Sequence, residues 1–265
     1  MIKLIWSSLE VIRKIAEEAG KEILKIYQLD NYETQTKNNH SPLTQADLAS
    51  HHIIFSALSK LTPEIPILSE EGNKLNIDVS TFWCVDPLDG TKEFIKRNNE
   101  FTVNIALIQN YVPVLGVIYI PVKNESFVAM KGLGATKVYN NKYYKLPTQK
   151  KISNLPIVFA ISQSHLNQQT QDFIQQHQAQ TIAAGSSIKL CLLAEGMVDA
   201  YPRFGPTSLW DMAAGHAILK ETGGEIYDFN YKPLIYNSKK ILNPDLIAIR
   251  HKDLRYKIRE DGEKL

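Results

Sequence analysis

An apolar run, Phe82-Trp83-Cys84-Val85, stops abruptly at Asp86-Pro87-Leu88-Asp89-Gly90-Thr91. An apolar stretch bounded by proline and glycine reads as a buried strand closed by a tight turn. Two carboxylates then sit at the carboxyl edge of a core strand. Two more acidic pieces, Leu68-Ser69-Glu70-Glu71-Gly72 and Leu209-Trp210-Asp211, stand far away in sequence. Like charges about 4 Å apart repel by roughly 4 kcal/mol at an effective dielectric of about 20. If these acids converge, they need protons or a cation. No Cys or His shares the motif, and oxygen-only donors favour Mg²⁺ or Mn²⁺ over zinc. A lone Asp in such a turn would simply cap its loop. Glu70-Glu71 at the end of the preceding expected strand favours the metal reading instead.

The 265 residues suit one large domain or two smaller ones. A net charge of +2 sets up no whole-protein field that demands nucleic acid or a membrane, although a local basic pocket is compatible with it. Cys84 and Cys191 sit in apolar surroundings without Cys-x-x-Cys spacing, so they read as small buried hydrophobes in a reduced protein. Glu10, Arg13, Lys14, Glu17 and Glu18 interrupt the first apolar residues, which excludes a signal h-region and an integral membrane segment there. A cytoplasmic enzyme and a cytoplasmic binding protein both fit these limits.

Leu9, Ile12, Ala16, Ala19, Ile23 and Ile26 recur at helical spacing and predict an amphipathic helix over residues 3–28. Residues 30–43 are polar and read as a mobile loop. Thr44 and Asp47 have capping spacing and open a second helix that runs to about Leu61. Strands are expected at 65–68, 82–85, 101–108, 112–120 and 126–130, with a hairpin turn at Gln109-Asn110. Beyond residue 145 strand and helix alternate: strands at 157–161, 181–184, 198–201 and 225–228, helices at 166–177, 186–195 and 210–222. The expected fold class is α/β (α+β) in two lobes, 1–145 and 146–265, with a cleft between them.

Two related spellings carry other chemistry. Haloacid-dehalogenase-like phosphatases use Asp-x-Asp-x-Thr, whereas the spacing here is Asp-x-x-Asp. Prenyl synthases use Asp-Asp-x-x-Asp on a helix, which Pro87 and Gly90 oppose. The pairing of Asp86-Pro87-Leu88-Asp89-Gly90-Thr91 with Trp210-Asp211-Met212-Ala213-Ala214-Gly215 instead resembles the lithium-sensitive, Mg²⁺-dependent phosphatases of the inositol monophosphatase superfamily. The resemblance covers nearly the whole chain, from the Asp47 helix to the last expected strand. Within it, Gly90-Thr91-Lys92-Glu93-Phe94, Gly185-Ser186-Ser187-Ile188-Lys189, Tyr201-Pro202-Arg203-Phe204 and the 232–244 stretch are similar to the 3′(2′),5′-bisphosphate nucleotidase branch.

The resemblance implies a layered αβαβα sandwich of the inositol monophosphatase/fructose bisphosphatase type with a metal-lined cleft. It implies that Glu70, Asp86, Asp89, Asp211 and the Leu88 carbonyl ligate two or three Mg²⁺, with Mn²⁺ able to substitute. It also implies that Thr91, backed by Asp47, activates water, with Glu70 part of the same catalytic centre. Gly90, Thr91, His165, Ser186, Lys189, Arg203 and Asp211 would contact a small-molecule nucleotide, not a nucleic acid polymer. The reaction implied is removal of the 3′-phosphate of adenosine 3′,5′-bisphosphate in sulfate assimilation, with phosphoadenylyl sulfate as a second substrate to weigh.

Simpler roles stand beside these. Asp47 and Ser186 can be caps, Lys189 a solvated side chain and His165 an exposed loop residue. Glu71 either supports the site or is solvated, Lys92 and Glu93 can pair with each other, and Trp83 and Trp210 read as packing that stiffens the ligand shell. The competing functions are an inositol monophosphatase or other sugar-phosphate phosphatase of the same superfamily, and a noncatalytic nucleotide or phosphate sensor. The oligomeric state stays open, as does peripheral contact with the cytoplasmic face of the inner membrane.

Overall fold

The computed structural model describes residues 6–29, 34–36, 42–73, 75, 78–147, 156–164 and 166–263. The apolar stripe of the first helix is realised: Leu9, Ile12, Ala16, Ala19 and Ile23 form the buried face of α1 (Trp6–Tyr27). Residues 30–43, expected as a loop, contain β1 (Thr34–Thr36), which pairs antiparallel with β2 (Pro42–Thr44). Such short polar strands carry no hydrophobic alternation to announce them. A capping box at Thr44 then starts α2 (Gln45–Leu61).

Seven strands follow one another in both sequence and space: β3 (Ile67–Ser69), β4 (Thr81–Asp89), β5 (Thr102–Gln109), β6 (Val112–Ile120), β7 (Glu125–Met130), β8 (Gly134–Tyr139) and β9 (Lys142–Leu146). Only the β3–β4 pair is parallel. A short helix, α3 (Thr91–Ile95), joins β4 to β5. The β5–β6 hairpin turns at Asn110-Tyr111, one residue later than expected, because both residues adopt the positive φ that a two-residue hairpin needs. No signal predicted β8 and β9. Four of the five β9 residues are exposed, so that strand has no buried face to imprint a pattern.

The second sheet is built from β10 (Val158–Ser162), α4 (Gln168–Gln176), β11 (Gln180–Ala184), α5 (Ile188–Glu195), β12 (Ala200–Arg203), α6 (Leu209–Glu221), β13 (Glu225–Asp228), β14 (Leu246–Ile249) and α7 (Leu254–Glu263). Its strand order is β11-β10-β12-β14-β13. Sequence reading missed β14 and α7. β14 inserts antiparallel between β12 and β13, a non-local pairing that no local pattern encodes.

Three apolar layers stack these elements. Trp83 and Val85 face α1 and α2, together with Val103, Ile105 and Val117. Phe82 and Cys84 point the other way, into a layer shared by α5, α6 and second-sheet residues Ala160, Tyr201 and Leu246. The period-two alternation of a strand buried on both faces explains the unbroken run 82–85. A third layer joins Phe159, Tyr227 and Ile247 to α4 and α7. The order is therefore helices, sheet, helices, sheet, helices, as expected. Trp83 is a core side chain whose indole donates to Thr62 (2.8 Å). Cys84 and Cys191 are buried free thiols. Among the described residues no helix is long and apolar enough to cross a membrane.

Helix α6 is the shared middle element, and its backbone lies directly on β6. A Cβ at Gly116 would sit 2.2 Å from the Ala214 carbonyl oxygen and 2.8 Å from the Ala217 Cβ. Backbone cannot rotate away as a side chain can, so the helix itself would have to shift. Overpacking of this kind costs about 1–3 kcal/mol. Gly116→Ala should therefore lower the thermal midpoint by about 3–10 °C, read by calorimetry; an unchanged midpoint would contradict this packing.

Candidate active site

Strand β4 does not stop at Val85 but runs on through the acidic motif. Asp86 pairs with Asn104, the register slips, and Asp89 pairs with Thr102. An irregularity of this kind re-aims side chains at a strand end. Pro87 lies within the slip, where its missing N–H removes a ladder donor. Buried Ser50 of α2 donates to the Pro87 carbonyl (2.7 Å), and the Leu88 amide donates to Asp86 Oδ1 (3.1 Å). Gly90 follows with φ 93°. A Cβ there would come 3.0 Å from the Glu100 carbonyl and 3.2 Å from the Ser186 side chain. Glycine thus permits both the left-handed turn into α3 and close approach to the second sheet's side of the cleft.

Glu70 directly follows β3, and its amide donates to the Val85 carbonyl (3.1 Å), which places it beside β4. Asp211 lies in the first turn of α6 and accepts from the Ser208 amide (2.9 Å) as half of a capping box. Asp47 makes a cap and a contact with Thr91 at once, which the sequence reading allowed. Its Oδ2 caps α2 by accepting from the Thr44 amide (2.8 Å) and hydroxyl (2.6 Å). Its Oδ1 accepts from the Thr91 hydroxyl (3.0 Å).

Glu70, Asp86, Leu88, Asp89, Gly90, Thr91, Ser186, Lys189, Arg203 and Asp211 all line one cleft of about 270 Å³. Asp47 reaches that cleft through Thr91. His165 lies outside the described residues. Lys189 and Arg203 bring positive charge to the same cleft. Lys189 is buried, donates to the carbonyls of Ser186 (2.7 Å) and Ala184 (3.3 Å), and lies 5.2 Å from the centre of the Tyr201 ring. Arg203 donates through Nη2 to the Pro206 carbonyl (3.2 Å), while its buried Nε has no partner among the described residues. The Ser186 hydroxyl is likewise buried without a partner. Ser186 has φ 43° and precedes the helix, whose N-cap is Ser187. Glu93, ambiguous in sequence, is buried in the cleft wall and accepts from Ser164 (2.6 Å).

Sequence reasoning missed Asn104, and it saw Ser187 only as part of a helix start. Asn104 donates to Asp89 Oδ2 (3.2 Å) and to Ser187 Oγ (2.8 Å), and Ser187 itself donates to Asp89 Oδ2 (2.7 Å). The signal was present: Asn104 is a fully buried amide inside the apolar strand β5, and buried polar groups need a stated partner.

Charge in the cleft is unbalanced. Burial, then Asp89 and Glu70, push the Asp211 carboxyl up to about 8. Burial also raises Asp89, against the opposing effects of Ser187, Lys189 and Asn104. Lys189 is lowered by burial and partly restored by Asp89. Among the described residues no three Asp, Glu, His or Cys side chains stand close enough to grip a metal ion as they are. Four carboxylates with raised proton affinity at Asp89 and Asp211, a main-chain carbonyl and no thiol or imidazole make a donor set that fits a hard divalent cation.

The raised Asp211 carboxyl makes stability depend on pH. Below about pH 4 both folded and unfolded chains hold this proton. As pH rises toward 8 the unfolded chain releases it while the folded one keeps it, so stability falls across that window. Asp211→Asn cannot titrate there. In chelator, its thermal midpoint relative to the parent should climb between pH 4 and 8, and Mg²⁺ should shrink the gap by stabilising the parent alone. A gap independent of pH would contradict the raised carboxyl.

Residues 7–262 match the model of the inositol monophosphatase family. A protein of Escherichia coli named 3′(2′),5′-bisphosphate nucleotidase CysQ is 43% identical over 243 residues, which is 89% of this chain and 97% of that protein. The protein of the same name from Salmonella typhimurium is 44% identical over the same shares. The crystal structure of CysQ from Bacteroides thetaiotaomicron, described as a bacterial member of the inositol monophosphatase family, superposes with a TM-score of 0.81 at 40% identity, covering 93% of this chain and 98% of that one. This chain belongs to the inositol monophosphatase family.

Proposed function

We propose that this chain is a 3′(2′),5′-bisphosphate nucleotidase that hydrolyses the 3′-phosphate of adenosine 3′,5′-bisphosphate to AMP and phosphate. One observation carries the reading: a single cleft is lined by the carboxylates Glu70, Asp86, Asp89 and Asp211 together with Lys189 and Arg203. A substrate with two phosphates suits that combination of charges. The nucleotidases at 43–44% identity over nearly the whole chain support the same substrate class. Recycling of a sulfate-assimilation by-product is the role assigned, in the cytoplasm, where the buried free thiols Cys84 and Cys191 stay reduced.

Two or three Mg²⁺ ions held by Glu70, Asp86, Asp89, Asp211 and the Leu88 carbonyl would acidify a bound water and neutralise charge on the phosphate. The Thr91 hydroxyl would orient a water in the cleft. Its own proton points to Asp47 Oδ1, and Asp47 is held by the helix cap, so the acceptor is pre-positioned. The Ser186 hydroxyl and the Arg203 Nε–H, both buried without partners among the described residues, are donors awaiting the nucleotide. Arg203 presents its planar fork to the 5′-phosphate, and Lys189 supplies a nearby point charge. The chain's own family keeps inositol monophosphate as the second reading. A purely acidic cleft would serve that smaller substrate, whereas Lys189 and Arg203 in the lining favour the bisphosphate.

Phosphate release should be Mg²⁺-dependent and faster with adenosine 3′,5′-bisphosphate than with inositol monophosphate or fructose 1,6-bisphosphate. A preference for inositol phosphate would overturn the assignment, and Mg²⁺-dependent binding without turnover would mark a sensor. Arg203→Ala should raise KM for the bisphosphate by about 10- to 100-fold, the worth of one charged hydrogen bond, while barely affecting a simple monophosphate ester. Equal effects on both substrates would remove Arg203 from the 5′-phosphate.

A further inference from the structure

We propose that Ser187 is a positioning residue whose hydroxyl, backed by Asn104, locks the Asp89 carboxylate at the end of β4. The inference rests on the metal-dependent reading given above. Ser187 is buried at the N-cap of α5, yet it makes no side-chain cap bond to its own helix. Its hydroxyl turns outward instead, 2.7 Å from Asp89 Oδ2 and 3.1 Å from the Asp211 carbonyl oxygen. A hydroxyl has one proton, and the shorter contact to a carboxylate takes it. Its lone pair accepts from Asn104 Nδ2 (2.8 Å), whose second proton reaches the same Asp89 Oδ2 (3.2 Å). The Asn104 amide is oriented in turn by the fully buried Thr102, which donates to Asn104 Oδ1 (3.0 Å).

The consequence is geometric. Two donors converge on one oxygen of Asp89, so the carboxylate cannot spin, and Oδ1 is left for the cleft that Asp89 lines. Two strands meet at this one hydroxyl, β4 through Asp89 and β5 through Asn104. Partners behind ligating carboxylates commonly change metal affinity by about 10- to 100-fold when removed.

The experiment titrates the full chain with Mn²⁺ and follows free Mn²⁺ by electron paramagnetic resonance, alongside phosphate release against Mg²⁺ concentration. Ser187→Ala should weaken Mn²⁺ binding about 10-fold and raise the Mg²⁺ needed for half-maximal rate by the same factor. KM for the bisphosphate at saturating Mg²⁺ should stay unchanged, and Ser187→Thr, which keeps the hydroxyl, should recover most of the Mn²⁺ affinity. Asn104→Ala should give a loss of similar size and serves as the reading if Ser187→Ala fails to fold. Folded Ser187→Ala with parental Mn²⁺ affinity would overturn the proposal, as would a loss that Ser187→Thr shares in full. A parent enzyme that prefers inositol monophosphate would instead overturn the nucleotide assignment and leave the Mn²⁺ comparison standing.

Discussion

Contact between the α6 backbone and β6 sets the geometry on which everything else depends. At Gly116 no side chain separates helix from sheet, so the Ala214 carbonyl sits where a Cβ would be. Close-packed interiors transmit such a constraint with little slack. The same helix buries its opposite side against α5 and the second sheet, in one apolar layer that both sheets share. Its first turn is thereby carried to the end of β4, and Asp211 joins Asp86 and Asp89 in the cleft. The distance between two sheets becomes the distance between acids.

That delivery creates an electrostatic problem that the fold does not solve alone. Burial and the neighbouring acids raise Asp211, and the hydrogen bonds from Ser187 and Asn104 only partly offset burial at Asp89. A buried charge without a partner costs far more than an exposed one. The cleft therefore holds a standing demand for positive charge at its acids, while Lys189 and Arg203 line the same cleft. A ligand carrying both a cation and phosphate suits both sets of charges, which is why the function follows from the site's charge pattern as well as from the family.

Not every site residue was equally legible. Asp86 and Asp89 stood out because a core strand rarely ends in two acids, and Thr44 with Asp47 has the spacing of a cap. The cap and the Thr91 contact prove compatible because a carboxylate has two oxygens, one for each task. Asn104 was overlooked: in a run such as Val103-Asn104-Ile105 its polarity is easily read as a minor break in an apolar strand. Strands β8, β9 and β14 were overlooked for a different reason. The first two are extensions of an antiparallel sheet with little burial of their own at the edge, and the third pairs with partners distant in sequence.

What the chain alone determined was local: the amphipathic face of α1, the burial of 82–85, the cap of α2 and the tight turn that ends in Gly90. Each follows from neighbouring residues, because periodicity, capping and φ preference act over a few positions. Only the tertiary structure decided which acids share a cleft, that Ser187 abandons its own helix for Asp89, and that Lys189 is buried rather than solvated. Those outcomes rest on contacts between residues as many as 98 positions apart. No local rule specifies such distances, since they emerge from how helices and sheets pack.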